Sequence, residues 1–298
     1  MGNLVAIDIG GSSIKSATFE IPATLAQTTL RAVRRTPTPI ANATALIDTV
    51  VDIVRSGPSV DAVGVVMPGL LDVPAGRVRI SGNLQLVDAP IAEPISQALG
   101  IPVAFEHDVR AGAMAELYAG AARGLSDAVF LAIGTGVAAA LIIDGEVRSS
   151  AGFMGEIGHA WIGTDDACIC GLRGCLEAVA SAAAIARRYG ALTGDTCTAE
   201  QVIGRARLGD GTAQQVWRDA VRALTRVCAM LTNVIGPEAI VVGGGLSRAG
   251  EFLLAPLRAG LAASVSYQRV PEVRTATHGD DAGCLGAAIA TLRQRGLA

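Results

Sequence analysis

Residues 4–9 form a short apolar run, Gly10-Gly11-Ser12-Ser13 interrupt it, and residues 14–19 resume with alternating side chains. This pattern predicts two strands joined by a glycine-rich tip. It returns at residues 129–133, Gly134-Thr135-Gly136 and residues 137–143, before Asp144-Gly145. A strand–turn–strand unit used twice predicts two related halves, each with a glycine turn whose N–H groups could face phosphate. Unrelated hairpins with glycine tips would give the same short match, so the fragment alone leaves both readings open.

The intervening chain alternates helical and strand patterns. Leu46, Ile47, Val50, Val51, Ile53 and Val54 sit at helical spacing within residues 43–55, ahead of Ser56-Gly57-Pro58. Residues 62–67 read as a buried strand, 91–99 as a helix closed by Gly100, 103–105 as a strand, and 109–121 as an alanine-rich helix. Further on, 220–233 reads as a helix, 239–242 as a strand ending at Gly243-Gly244-Gly245, and 283–293 as a terminal helix. Such alternation predicts an α/β protein with largely buried sheets.

With 298 residues, 51% of them hydrophobic and 17% charged, the chain can build two cores and shows no signature of disorder. The formal charge of −3, from 24 basic and 27 acidic side chains, includes no basic stripe and argues against a nucleic-acid partner. No positive segment followed by a long apolar stretch opens the chain, so secretion is not expected. The longest apolar run, 128–143, is broken by Gly134-Thr135-Gly136 and is too short to span a bilayer. A soluble cytoplasmic protein with no membrane partner is the expectation.

Of six cysteines, Cys168, Cys170 and Cys175 fall within eight residues, interleaved with Gly171 and Gly174. Three thiolates this close can wrap one tetrahedral ion, and His159 completes a closed Cys3His zinc set of the structural kind. Cys197, Cys228 and Cys284 read as small core residues. Asp8 stands at a strand end before Gly10-Gly11, where it could hold Mg²⁺ beside phosphates or cap its own turn. Asp108, beside Glu106 and His107, follows another strand. There it could take a proton from an attacking hydroxyl or cap the helix that follows. Glu156 and Glu177 flank the cysteine loop, which would hold both acids in fixed directions as acceptors for sugar hydroxyls.

Taken together, these residues resemble the ROK (repressor, open reading frame, kinase) sugar kinases, especially bacterial glucokinases, over nearly the whole chain. Asp8-Ile9-Gly10-Gly11-Ser12 is similar to the family's opening phosphate motif, with Ser12 where Thr is usual. Gly134-Thr135-Gly136 is similar to its second phosphate turn. Residues 155–159 and 168–177 are similar to its signature, 242–247 to its adenosine-side turn, and 279–286 to its closing segment. The resemblance implies a two-domain actin-like (ribonuclease H-like) sugar kinase fold with a cleft between domains, where a hexose meets ATP. A smaller domain, 1–108, would be joined by the C-terminal helix 285–298, and a larger domain, 109–284, would carry the zinc loop. Asp108 would be the base for the 6-hydroxyl. Asn83, His107, Glu156, His159 and Glu177 would contact the sugar. Asp8, Gly10, Gly11, Ser12, Lys15, Gly134, Thr135, Gly136, Gly243, Gly244 and Gly245 would attend Mg-ATP. His159, Cys168, Cys170 and Cys175 would hold structural zinc, and a homodimer is implied.

Two departures bear on the substrate. The family usually reads Glu-Asn-Asp where this chain has Glu106-His107-Asp108, and an aromatic often found after the Asn83-Leu84 segment is missing. One reading is a pocket adapted to a sugar altered at C3, such as 3-amino-3-deoxyglucose (kanosamine); the other is a glucokinase that accommodates His107. A family repressor would need a DNA-binding module before Leu4, where none is expected, and could dispense with Asp108. A sugar-responsive binding protein without turnover would not need Asp8, Asp108 and both glycine turns. As phosphoryl donor, Gly243-Gly244-Gly245 favours ATP over polyphosphate.

Overall fold

The computed structural model describes residues 2–21 and 33–296. The first and last residues of the expected domain spans (1, 297 and 298) lie outside that range. β1 (Asn3–Ile9) and β2 (Ser13–Glu20) pair antiparallel around the glycine tip, Ile9 opposite Ile14. β3 (Arg34–Pro37) adds antiparallel to β2. α1 (Ala43–Arg55) begins at Asn42, whose Oδ1 accepts the Ala45 N–H at 2.9 Å and satisfies a donor that the first helical turn would leave open. Its Leu46, Val50, Val51 and Val54 are buried, each such side chain contributing roughly 1.5–3 kcal/mol when fully removed from water. β4 (Ala62–Met67), buried throughout, runs parallel to β1.

Three short strands follow: β5 (Leu70–Asp72), β6 (Arg77–Ser81) and β7 (Leu86–Pro90), which form a small antiparallel sheet. The sequence did not predict them, because runs of three to five residues are too short to establish a period. α2 (Ala92–Leu99) ends on Gly100 in the left-handed conformation. β8 (Val103–His107) runs parallel to β4, two residues longer than its apolar run, and α3 (Asp108–Ala119) follows directly.

The second strand–turn–strand unit is β9 (Ala128–Ile133) and β10 (Val137–Ile143), extended by β11 (Glu146–Arg148). After the cysteine loop come α4 (Glu177–Ala180), α5 (Ala182–Thr193), α6 (Ala199–Arg207) and the long α7 (Gly211–Ile235). β12 (Ala239–Gly243), α8 (Glu251–Ala262), β13 (Glu272–Thr275) and α9 (Ala282–Gln294) complete the chain order.

The two large sheets share one topology. Their orders are β3-β2-β1-β4-β8 and β11-β10-β9-β12-β13, each an antiparallel hairpin plus edge strand, continued by two parallel strands. The repeated glycine-tipped hairpin is therefore the start of a duplicated α/β half. The architecture is the expected mixed α/β fold of two domains.

Contacts divide the chain into two compact units. One holds the residues up to Arg123, Ser149–Met154 and the residues from Asp280 onward; the other holds Gly124–Arg148 and Gly155–Gly279. This division falls one helix later than the expected break after Asp108. α3 stays with the first unit because it packs on α9, where Gly286 lies so close to the Ala111 carbonyl that no Cβ would fit. In the first unit, Val5, Ile7 and Ile9 on one sheet face form a core with α1 and α2, while α9 covers the other face. The second unit's core is built on α7, with Trp217 stacked on Phe252 at 5.4 Å between ring centroids. Among the described residues no helix is long and apolar enough to cross a membrane.

Candidate functional site

In the first unit, Asp8 is the penultimate residue of β1, on the sheet face that α9 covers. Gly283 of α9 approaches the carboxylate so closely that a side chain there would collide with it. Burial raises the Asp8 pKa to about 6; Lys15 opposes this and the nearby Asp108 charge adds to it. Lys15 Nζ lies 3.4 Å from Asp8 Oδ2 and donates to the Asp280 carbonyl at 2.7 Å. The structure therefore ties Lys15, expected near phosphate, to Asp8 and to the start of α9. The glycine tip is anchored from β3: Thr38 Oγ1 donates to the Gly10 carbonyl at 2.7 Å, and the Thr38 N–H to the Ser12 carbonyl at 3.4 Å. Asn83, exposed in the β6–β7 turn, lies against Gly11, whose added Cβ would sit 3.6 Å from that of Asn83.

Asp108 is the first residue of α3, and the cap of that helix is His107. His107 Nδ1 accepts the Val109 N–H at 3.2 Å, and Asp108 Oδ1 accepts the same N–H at 2.7 Å. An Asn cap works through a side-chain oxygen; His107 reproduces that contact with its ring nitrogen. His107 is thus the cap residue, and Asp108, whose carboxylate accepts the same N–H, lies beside it. Burial pushes the Asp108 pKa up to about 6, against the Val109 N–H and Arg110, which lower it. Glu106 is not directed at a ligand: its Oε1 accepts from Arg110 Nε at 2.7 Å and from the His107 N–H at 2.7 Å.

In the second unit, the cysteine loop is folded by its own backbone. The Cys168 N–H donates to Leu172 O at 2.9 Å and the Gly174 N–H to Asp166 O at 2.8 Å. Cys168 Sγ lies 3.7 Å from His159 Nδ1, and Cys170 Sγ lies 3.7 Å from Cys175 Sγ. All four ligand atoms fall within 4.8 Å of one another. A tetrahedron with Zn–S bonds of about 2.3 Å has edges of roughly 3.8 Å, so the donor set fits zinc in both chemistry and spacing. Burial, with the neighbouring sulfurs, pushes the Cys175 thiol up to about 12; a bound cation would reverse that.

Glu156 is exposed just before the short turn Ile157–His159. Glu177, two residues past Cys175, places Oε2 2.9 Å from the Val137 N–H. Gly136 and Gly158 crowd this carboxylate, and a Cβ on Gly136 would collide with it. The cysteine loop is thereby linked to the Gly134-Thr135-Gly136 turn, whose Thr135 stands exposed at the tip. Gly244, at φ 78°, backs onto Ile133, whose carbonyl oxygen would lie 2.5 Å from a Cβ there. The structure thus brings Gly243-Gly244-Gly245 beside Gly134-Thr135-Gly136 as two adjacent backbone turns.

Sequence reasoning missed Thr38, Arg110 and the Val137 N–H. The Thr38 hydroxyl carries no local signal, because its partner, Gly10, lies in the tip between β1 and β2, far off in sequence. The Glu106–Arg110 ion pair joins the end of β8 to the first turn of α3, so helical spacing alone does not signal it.

Residues 4–294 match the family model described as "ROK family". A glucokinase from Thermotoga maritima is 34% identical over 79% of this chain and 80% of its own length. The crystal structure of a ROK family glucokinase from Streptomyces griseus in complex with glucose and AMPPNP superimposes with a TM-score of 0.84. It is 28% identical and covers 98% of this chain and 100% of that one. A xylose repressor from Caldicellulosiruptor bescii is 31% identical over 66% of this chain and 53% of its own length.

Proposed function

The chain belongs to the ROK family, and on that premise we propose that it is an ATP-dependent sugar kinase that phosphorylates the 6-hydroxyl of glucose or of a glucose-like amino sugar. The observation that carries this reading is Asp108: a carboxylate at the end of a parallel strand, oriented by the Val109 N–H, with its pKa raised to about 6. Such a base is ionised at neutral pH yet basic enough to take a hydroxyl proton as the oxygen attacks the donor's terminal phosphorus. The proton stays on the carboxylate while the phosphoryl group moves to the sugar. The glucokinase relatives support the acceptor class, and the AMPPNP complex of the Streptomyces griseus glucokinase supports ATP as donor.

The other residues take parts that suit their settings. In the first unit the Gly10-Gly11-Ser12 tip would receive phosphate through the Gly11 and Ser12 N–H groups, the Gly10 N–H being donated to the Ser13 carbonyl at 3.0 Å, and Asp8 would hold Mg²⁺, which would neutralise phosphate charge. In the second unit Gly134, Thr135 and Gly136 serve phosphate, and Gly243, Gly244 and Gly245 serve the adenosine end. Asn83, Glu156, His159 and Glu177 are assigned to sugar hydroxyls. His159 Nδ1, Cys168, Cys170 and Cys175 would hold a zinc ion, which supplies a rigid crosslink and no chemical step.

The finer substrate rests on His107. Its Nδ1 is engaged by the α3 cap, so any contact with the sugar runs through Nε2, a differently aimed group from the amide of Asn. We take this as grounds for a pocket altered around C3, with 3-amino-3-deoxyglucose (kanosamine) the specific candidate. The repressor relative motivates a reading without turnover, but a regulator has no use for a base with a raised pKa near a second partly buried carboxylate. A coupled ATP-consumption assay over glucose, mannose, N-acetylmannosamine, glucosamine and 3-amino-3-deoxyglucose tests the reading, with the phosphorylated position read by NMR. Activity on the 3-amino sugar that shifts to glucose in His107→Asn supports the specialised pocket. An unchanged preference sinks it, and silence on every sugar sinks the kinase reading.

A further inference from the structure

The registers of the first sheet line up one transverse row across all five strands. Arg35 faces Lys15, Lys15 faces Asp8, Asp8 faces Val66, and Val66 faces Glu106. Directly paired residues share a face, and this is the face covered by α9, opposite the core formed by Val5, Ile7 and Ile9. Strand alternation puts Arg34 and Thr36 on the other face. The row therefore carries two cations and two carboxylates at the edge where the glycine tip lies.

Three of these four charges are accounted for. Glu106 pairs with Arg110 at 2.7 Å. Asp8 pairs with Lys15 at 3.4 Å, and Lys15 spends a further donor on the Asp280 carbonyl at 2.7 Å. Arg35 is exposed and its side chain makes no hydrogen bond or ion pair among the described residues, yet Asp8 feels its charge. Its position relative to the glycine tip is set by Thr38, three residues on, which bonds the Gly10 and Ser12 carbonyls.

We propose that Arg35 is the donor-side cation of this site: its guanidinium contacts the phosphates that the Gly10-Gly11-Ser12 tip receives. The proposal rests on the kinase reading and adds a residue to it. The tip supplies only neutral N–H groups, and the Lys15 ammonium is already committed. An anionic polyphosphate entering here therefore meets Arg35 as the exposed cation of this row that no described residue pairs. The planar fork of the guanidinium suits two phosphate oxygens at once, which a lysine at the same place would serve as a point charge. The competing account is that Arg35 only charges an exposed edge strand against pairing with another chain. On that account Arg34, its neighbour on the opposite face, would behave the same way.

The experiment is calorimetric titration of the full chain with Mg²⁺ and the non-hydrolysable ATP analogue AMPPNP, in wild type, Arg35→Gln, Arg35→Lys and Arg34→Gln. Loss of a charge-assisted contact predicts about 10–100-fold weaker binding in Arg35→Gln. Arg35→Lys should recover only part of it, Arg34→Gln should match wild type, and glucose affinity should be the same in all four. Thermal melts check folding, and Arg35→Met repeats the comparison if Arg35→Gln is unstable. Equal AMPPNP affinity in Arg35→Gln and wild type overturns the assignment while leaving the kinase reading intact. A wild type that turns over no sugar and binds no nucleotide overturns both.

Discussion

Replacing Asp108 with Asn should stabilise the folded protein at neutral pH while removing its activity. The Asp108 carboxyl titrates near 3.8 in the unfolded chain and at about 6 when folded, chiefly because burial disfavours the charge. Between those values the folded protein holds a proton that the unfolded chain has lost. The stability contributed by the neutral carboxyl is complete below about pH 3.8 and is lost as pH rises through about 6. Two pKa units correspond to about 3 kcal/mol as a ceiling. The side chain is 31% exposed, so solvent screening reduces the expected gain to about 1–2 kcal/mol. Asn can still accept the Val109 N–H through its own oxygen, which leaves the start of α3 in place. Urea melts at pH 4 and pH 7.5 measure the difference, and a coupled assay follows turnover. The variant should match wild type at pH 4, exceed it at pH 7.5, and lose about 10²–10⁴-fold in kcat. A variant less stable than wild type at pH 7.5, or equally stabilised at both pH values, would refute the idea that Asp108 is held charged against its surroundings for catalysis.

Three further outcomes follow from the same geometry. The pH profile of kcat/KM should fall on the acid side with a midpoint near the raised pKa of about 6, set by the coupled Asp8 and Asp108 carboxyls; a plateau continuing down to pH 4.5 would contradict it. Metal analysis should find one zinc per chain, lost in Cys170→Ala, with chelation lowering the melting temperature of the wild type; a metal-free, equally stable preparation would remove zinc from the account. Gly136→Ala places a Cβ against Glu177 and should destabilise by roughly 1–3 kcal/mol, with a raised KM for ATP. A neutral effect on both melting and KM would show that the turn does not depend on that close approach.

Much of the site was legible because its signals are local. Cys168, Cys170 and Cys175 lie within one loop that its own backbone folds, so spacing alone announced the four-ligand cluster with His159. The glycine tips at Gly10-Gly11 and Gly134-Thr135-Gly136 sit between strands that pair with each other, and a hairpin is encoded within some twenty residues. α1 was readable to its ends because its cap, Asn42, and its apolar stripe are contiguous in sequence. The β5–β7 sheet was not, since its strands are only three to five residues long and are held by pairing with one another.

By itself, then, the chain's sequence determined the α/β class, the hairpin repeat, the cysteine loop and the positions of Asp8 and Asp108 at strand ends. Tertiary structure alone decided how those positions behave. The parallel pairing of β1 with β4 and of β4 with β8 sets the row running from Arg35 to Glu106. The return of α9 against β1 buries Asp8, and the extension of β8 to His107 makes that residue the cap beside Asp108. The physical reason is that burial, and the pKa shifts it causes, depend on which distant segments exclude water from a group. Periodicity records how one segment is faced, but not what comes to lie against it.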